Sequence, residues 1–196
     1  MPNRSPRLLL ISGSLRVESV NRKAIEVAAI AAEKAGAEID RTDPLDILFP
    51  IYNQDDEDKT GIPDKALALR ERMKKADGFL IGCPEYNGSI TGALKNAIDW
   101  ASRPHDGEQP LECFRHKTAA LIAASGGKLG GIRGLPETRR ILSGIGTHVI
   151  AFDFALSGAN DVFAADGTCT DDNARAGLER IGTSLAEITA ALIAGK

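Results

Sequence analysis

Ser14, Arg16, Ser19 and Asn21 stand close together just after the apolar run Leu8–Ser12. Two hydroxyls, a guanidinium and an amide at that spacing can converge on one anion. A phosphate dianion wants several donors, and a helix N-terminus supplies some of them. Arg grips phosphate oxygens in bidentate fashion, and Ser19 is placed to cap the helix that follows. Neither Gly-x-Gly-x-x-Gly nor Gly-x-x-x-x-Gly-Lys-Ser/Thr occurs here, so a Rossmann dinucleotide site and an NTPase P-loop are not expected. A hydroxyl-rich loop after the first strand suits a monophosphate. Taken alone, a plain strand, turn and serine-capped helix would also account for it.

Two further loops could face a flat ring. Pro84, Glu85, Tyr86 and Asn87 follow the apolar run Gly78–Cys83 and lead into Gly88-Ser89. Pro84 stiffens the turn, and Asn87-Gly88 permits left-handed backbone. Such a turn can aim backbone groups at a ring's polar edge and lay Tyr86 nearby. Its bland reading is a surface turn into a capped helix. The second loop is Ser125-Gly126-Gly127-Lys128-Leu129-Gly130-Gly131, after the apolar run Thr118–Ala124. Its glycines let the backbone approach a ligand closely; its bland reading is a flexible connection.

Alternating elements position these loops. Strands are expected at Leu8–Ser12, Glu38–Thr42, Gly78–Cys83, Thr118–Ala124 and Thr147–Phe152. Helices are expected at Asn21–Ala35, Asp64–Lys75, Thr91–Ser102, within Ile132–Ser143, and at Asp172–Ala194. In the first helix Ala24, Val27, Ala28 and Ala31 recur at the spacing of one buried face. Strands separated by helices predict an α/β fold with a parallel sheet covered on both faces. The connection Asp43–Pro63 is long for a compact domain and is expected to be a loop. Its acidic run Asp55–Asp58 reads as solvated surface. Its apolar half, Ile47 to Tyr52, covers either a neighbouring subunit or the rim of a site.

The bulk numbers limit the class. A chain of 196 residues, 43% hydrophobic and 26% charged, can fold as one soluble domain over residues 1–196. A net charge of −3 gives no electrostatic case for nucleic acid or an anionic membrane as partner. The opening apolar run is too short for a signal peptide's apolar region. Cys83, Cys113 and Cys169 share no metal-like spacing and read as free thiols, so a cytoplasmic location is expected. His105, His116 and His148 are scattered and read as ordinary surface residues.

In order along the chain, the motifs resemble the NADPH-dependent FMN reductase family of flavodoxin-like proteins. That family carries Gly-Ser-x-Arg-x-x-Ser-x-Asn, here Gly13 to Asn21. It carries Pro-Glu-Tyr-Asn running into Gly-x-Leu-Lys-Asn-Ala-Ile-Asp-Trp, here Pro84 to Trp100. Ser125–Gly127 with Gly130–Arg133, and the segment Val162–Gly167, are also similar. The likeness covers roughly residues 7–190.

The resemblance implies a three-layer flavodoxin-like sandwich with a five-stranded parallel sheet in the order 2-1-3-4-5. Ligands in such sheets sit where the strand order reverses. It implies FMN as cofactor, its phosphate held by Ser14, Arg16, Ser19 and Asn21. Pro84, Glu85, Tyr86 and Asn87 on one side, and Ser125, Gly126 and Gly127 on the other, would flank the isoalloxazine. Electrons would come from NADPH or NADH and pass to free flavin, a quinone, an azo compound or chromate. No side chain is expected as general acid or base, since the flavin carries the chemistry. A homodimer or homotetramer is implied, with Trp100 either in that interface or in the chain's own core. The rival readings are a non-enzymatic flavodoxin-like carrier and a flavin-binding regulatory module. One departure stands out: Gly134-Leu135-Pro136 follows Arg133, so the next helix either begins near Pro136 or is kinked.

Overall fold

The computed structural model describes residues 4–105 and 107–195. Strands β1 (Arg7–Ser12), β2 (Glu38–Arg41), β3 (Gly78–Gly82), β6 (Thr118–Ala124) and β7 (His148–Leu156) form one parallel sheet in the order β2-β1-β3-β6-β7. This is the expected 2-1-3-4-5 arrangement. Every residue of β3 and β6 is buried, as continuous apolar runs demand of central strands.

Helices α1 (Val20–Lys34) and α6 (Asp172–Ala194) cover one face, where Leu8, Leu10, Leu80 and Ile122 meet Ala28, Leu178 and Leu185. Helices α3 (Asp64–Lys75), α4 (Gly92–Ala101) and α5 (Gly134–Gly144) cover the other, around Leu9, Phe79, Trp100 and Phe114. Alternate side chains of each strand therefore feed two separate apolar layers.

The long connection after β2 is not a plain loop. Pro44–Ile47 forms a 3₁₀ turn closed by an Asp43/Asp46 capping box. Gln54–Thr60 then forms helix α2, so the acidic run is helical; Asp55, Asp56 and Asp58 are exposed as expected, whereas Glu57 turns inward to Arg103 and the Tyr52 hydroxyl. The reason is local: the Asn53 side chain accepts from the Asp55 N–H, and Asp55, Asp56 and Glu57 occupy the helix's electropositive first turn.

Two other expectations shift. β7 runs on to Leu156, because a register shift lets Asp153 rather than Ala151 oppose Leu121. Arg139 holds that bulge by donating to the carbonyls of Val149 and Ile150 while pairing with Asp153. Helix α5 starts at Gly134, which puts Pro136 in its first turn, where a missing N–H costs nothing.

Candidate functional site

The three loops meet at the carboxyl edge of the sheet, beside the β1/β3 junction where the strand order reverses. The first loop is tied down at both ends. Gly13 N–H donates to the Gly82 carbonyl at 2.8 Å, and the approach is so close that a Cβ on Gly13 would lie 2.8 Å from that oxygen. Thr91 Oγ1 donates to the Gly13 carbonyl at 2.8 Å and also caps α4 through the Leu94 N–H. Thr91 was not among the expected site residues, although a threonine just ahead of a helix signals a cap.

Within the loop, Ser14 Oγ accepts from the Arg16 N–H at 3.3 Å, and Ser19 Oγ accepts from the Arg22 N–H as the cap of α1. Ser14 and Ser19 are buried. Arg16 is exposed, and its guanidinium has no ion-pair partner among the described residues. Asn21 is put to a different use from the one expected. Its amide donates to the Ala124 carbonyl at 2.8 Å and accepts from the Ala124 N–H at 2.9 Å. It braces the end of β6 against α1, and its oxygen and an amide hydrogen are spent there.

The second loop is a miniature hairpin, β4 (Glu85–Tyr86) and β5 (Ser89–Ile90), closed by Asn87 at φ 54° and Gly88 at φ 82°. Positive φ at both central residues is the turn that matches strand twist. Pro84 is buried, whereas Tyr86 and Asn87 are exposed. Glu85 is not open to a ligand: its side chain is 7% exposed and pairs with Arg133. Burial alone would raise its pKa, but the Arg133 guanidinium and the Arg133 and Gly134 N–H groups hold it below the usual carboxylate value.

In the third loop Ser125 N–H donates to the Leu156 carbonyl at 3.0 Å, and its own carbonyl accepts from Ala159 N–H at 2.9 Å. Gly126 lies against the Asn160 side chain, 2.4 Å from where a Cβ would sit, while a Cβ on Gly127 would meet only Ser125 Oγ, at 3.8 Å. Cys83, just below the site, is buried and its thiol is pushed up to about 12 by that burial, so it stays a neutral thiol.

A cavity of about 400 Å³ joins the first two loops, lined by Gly13, Leu15, Arg16, Tyr86, Thr91 and Gly92. A larger groove, about 640 Å³, runs between α1, the 165–169 turn and α6; it reaches Ser19 but no residue of the ring-facing loops. Volume alone therefore does not mark the site; the converging loops do. A monophosphate flavin fits what is there: the cavity brings together an exposed guanidinium, without an ion-pair partner among the described residues, and the exposed aromatic ring of Tyr86.

The model of the NADPH-dependent FMN reductase family matches residues 6–161. The chain belongs to that family. It is thus an FMN-dependent NAD(P)H oxidoreductase. An NAD(P)H-dependent FMN reductase of Pseudomonas aeruginosa is 40% identical over 170 residues, covering 86% of this chain and 87% of the relative. An NAD(P)H:quinone oxidoreductase of Solanum tuberosum is 36% identical over 178 residues, covering 87% and 86%. Among solved structures, the flavoenzyme NAD(P)H:(acceptor) oxidoreductase FerB of Paracoccus denitrificans superposes with a TM-score of 0.80 at 30% identity, covering 94% of this chain and 97% of that one. No helix among the described residues is long and apolar enough to cross a membrane.

Proposed function

We propose that this oxidoreductase holds the FMN phosphate with Ser14, Arg16 and Ser19 and seats the ring between Pro84–Asn87 and Ser125–Gly127. The observation that carries the assignment is the exposed Arg16, without an ion-pair partner among the described residues, in the lining of a cavity that Tyr86 also lines. Asn21 acts indirectly, by fixing Ala124 and thus the start of the Ser125 loop. When bound, FMN supplies hydride acceptance and two-electron donation. The protein's own work is to bind, orient and leave one face open.

The acceptor class we favour is a quinone or a free flavin. The apolar rim residues Leu15, Tyr86, Leu129 and Ile132 are exposed around the loops and suit a planar organic acceptor better than an oxyanion such as chromate. Azo compounds share that planarity. The donor is NADPH or NADH. We place the protein in the cytoplasm, where its buried, unpaired cysteines Cys83, Cys113 and Cys169 are at home. We read residues 1–196 as a single domain working as a homodimer or homotetramer.

Steady oxidation of NADPH or NADH by the FMN-loaded protein, driven by a quinone, is the expected result. Reduction of the flavin without sustained turnover would turn the reading toward an electron carrier.

A further inference from the structure

Glu85 sits in the ring-facing turn, yet its carboxylate is consumed by the head of α5. One oxygen accepts from Arg133 Nε at 2.7 Å and meets Nη2 of the same guanidinium; the other accepts from the Arg133 N–H at 2.8 Å. The guanidinium lies under the turn, so that a Cβ on Gly88 would be 3.8 Å from Cζ of Arg133. A second tie runs from Ser89 Oγ to Glu137. The Arg133 side chain nevertheless remains 59% exposed, so its charge also reaches the open side of the turn.

We propose that Glu85 and Arg133 are a positioning pair: Glu85 fixes the Tyr86–Gly88 turn to α5, and Arg133 cancels the carboxylate's charge beside the isoalloxazine. The pair thereby sets both the pose and the reduction potential of the flavin. This rests on the reading that Pro84–Asn87 faces the ring. The physical case has two parts. A left-handed Asn87-Gly88 turn in a hairpin with only two residues per strand is too short to hold its own shape. Its anchor is the multiply bonded carboxylate. Further, a buried carboxylate left without its cation would oppose adding electrons to a nearby ring, and at low local dielectric that opposition is strong. Charge near the flavin is one of the protein's main levers on its electronics.

The test uses the FMN-loaded enzyme, with potentials measured by dye equilibration for wild type, Glu85→Gln, Arg133→Gln and the double variant. Glu85→Gln keeps the shape and leaves the cation uncompensated, so the potential should rise. Arg133→Gln leaves the carboxylate uncompensated, so the potential should fall. The double variant should return towards wild type. Arg133→Lys should keep the wild-type potential even where the loss of the guanidinium's fork weakens binding. In parallel titrations, the single variants should lose FMN and riboflavin affinity by the same factor, because the defect lies at the ring and not at the phosphate. Shifts of one sign in both single variants, no shift in either, or loss of FMN affinity with riboflavin spared would overturn the pair alone. If wild type binds neither flavin, the site reading falls first and the pair's role with it.

Discussion

Trp100 Nε1 donates to the carbonyl oxygen of Pro50 across 2.8 Å, joining the end of α4 to the middle of the long β2–α3 connection. Asn96, one turn earlier, accepts from the Tyr52 N–H and donates to the same Pro50 carbonyl at 3.0 Å. Tyr52 meets the Trp100 ring edge-on at 5.0 Å, and Arg103 lies over Tyr52 while pairing with Glu57. The Asn-Ala-Ile-Asp-Trp run thus acts as a clamp on a segment about fifty positions upstream. It holds the connection, and neither Trp100 nor Pro50 lines the cavity at the loops. Of the two places considered for Trp100, the chain's own core is the one it occupies, at 2% exposure.

Trp100→Phe should therefore destabilise the fold rather than the chemistry. The Pro50 carbonyl loses a buried donor and the ring leaves a small void, at a cost of about 1–3 kcal/mol. For a chain of this length the midpoint should fall by roughly 2–4 °C per kcal/mol lost. Thermal melts followed by circular dichroism check this. Catalytic constants measured well below the melt should move little; a large loss of kcat with an unchanged melt would place Trp100 at the site instead.

Arg16→Ala should weaken FMN by about ten- to hundredfold and riboflavin much less, since the proposed role of this guanidinium is to meet the phosphate alone. The exposed, unpaired state of Arg16 is the basis: no described residue competes for it. The wild-type protein should take up about one FMN per chain and prefer it to FAD. Isothermal titration with the three flavins tests both statements. Equal losses for FMN and riboflavin in Arg16→Ala would make the residue a structural one.

The sheet and the loops were legible because they follow local rules. β1, β3 and β6 read as continuous apolar runs, and the loops carry their turn and cap residues in plain order. What sequence could not supply was the partner of each polar side chain. Asn21 was counted as a phosphate donor, but its amide finds Ala124, 103 positions away. Glu85 lies in the turn proposed to face the ring, and the partner of its carboxylate, Arg133, is 48 positions away. Donor and acceptor types are visible in a sequence; which of them will already be satisfied by distant backbone is a property of the folded packing. Helix α2 is a different omission. Asn53 followed by Asp55, Asp56 and Glu57 is a cap with an acidic first turn, and that local signal was available.

The homo-oligomer expectation now rests on the apolar connection alone. Leu45, Leu48 and Ile51 are 53%, 47% and 85% exposed, and the clamp from α4 holds their backbone in place. Such a cluster on a rigid segment is what a subunit contact needs. Light scattering of the wild type should report a dimer or tetramer, and Ile51→Lys should shift it toward the monomer. A wild type that is monomeric at all concentrations would leave the patch facing solvent or the acceptor.

Turnover should be ping-pong, and the placement of the cavities is the reason. The nicotinamide must reach the ring from a side that the protein leaves open. On the proposed seating of the ring, the phosphate loop, the Glu85–Ile90 hairpin and the Ser125 loop take the other sides. The acceptor faces the same restriction, because the rim it would use is formed by the same exposed residues, Leu15 and Tyr86. The larger groove between α1 and α6 offers no escape: it touches Ser19 but none of Pro84–Asn87 or Ser125–Gly127, so a reactant lodged there would not touch the ring-facing loops. Two reactants cannot share one surface, so oxidised nucleotide must leave before the acceptor binds. Double-reciprocal plots at several fixed quinone concentrations should give parallel lines, with inhibition at high quinone as it competes for the oxidised enzyme. Intersecting lines would require a ternary complex, and with it a second approach to the ring that these loops do not leave open.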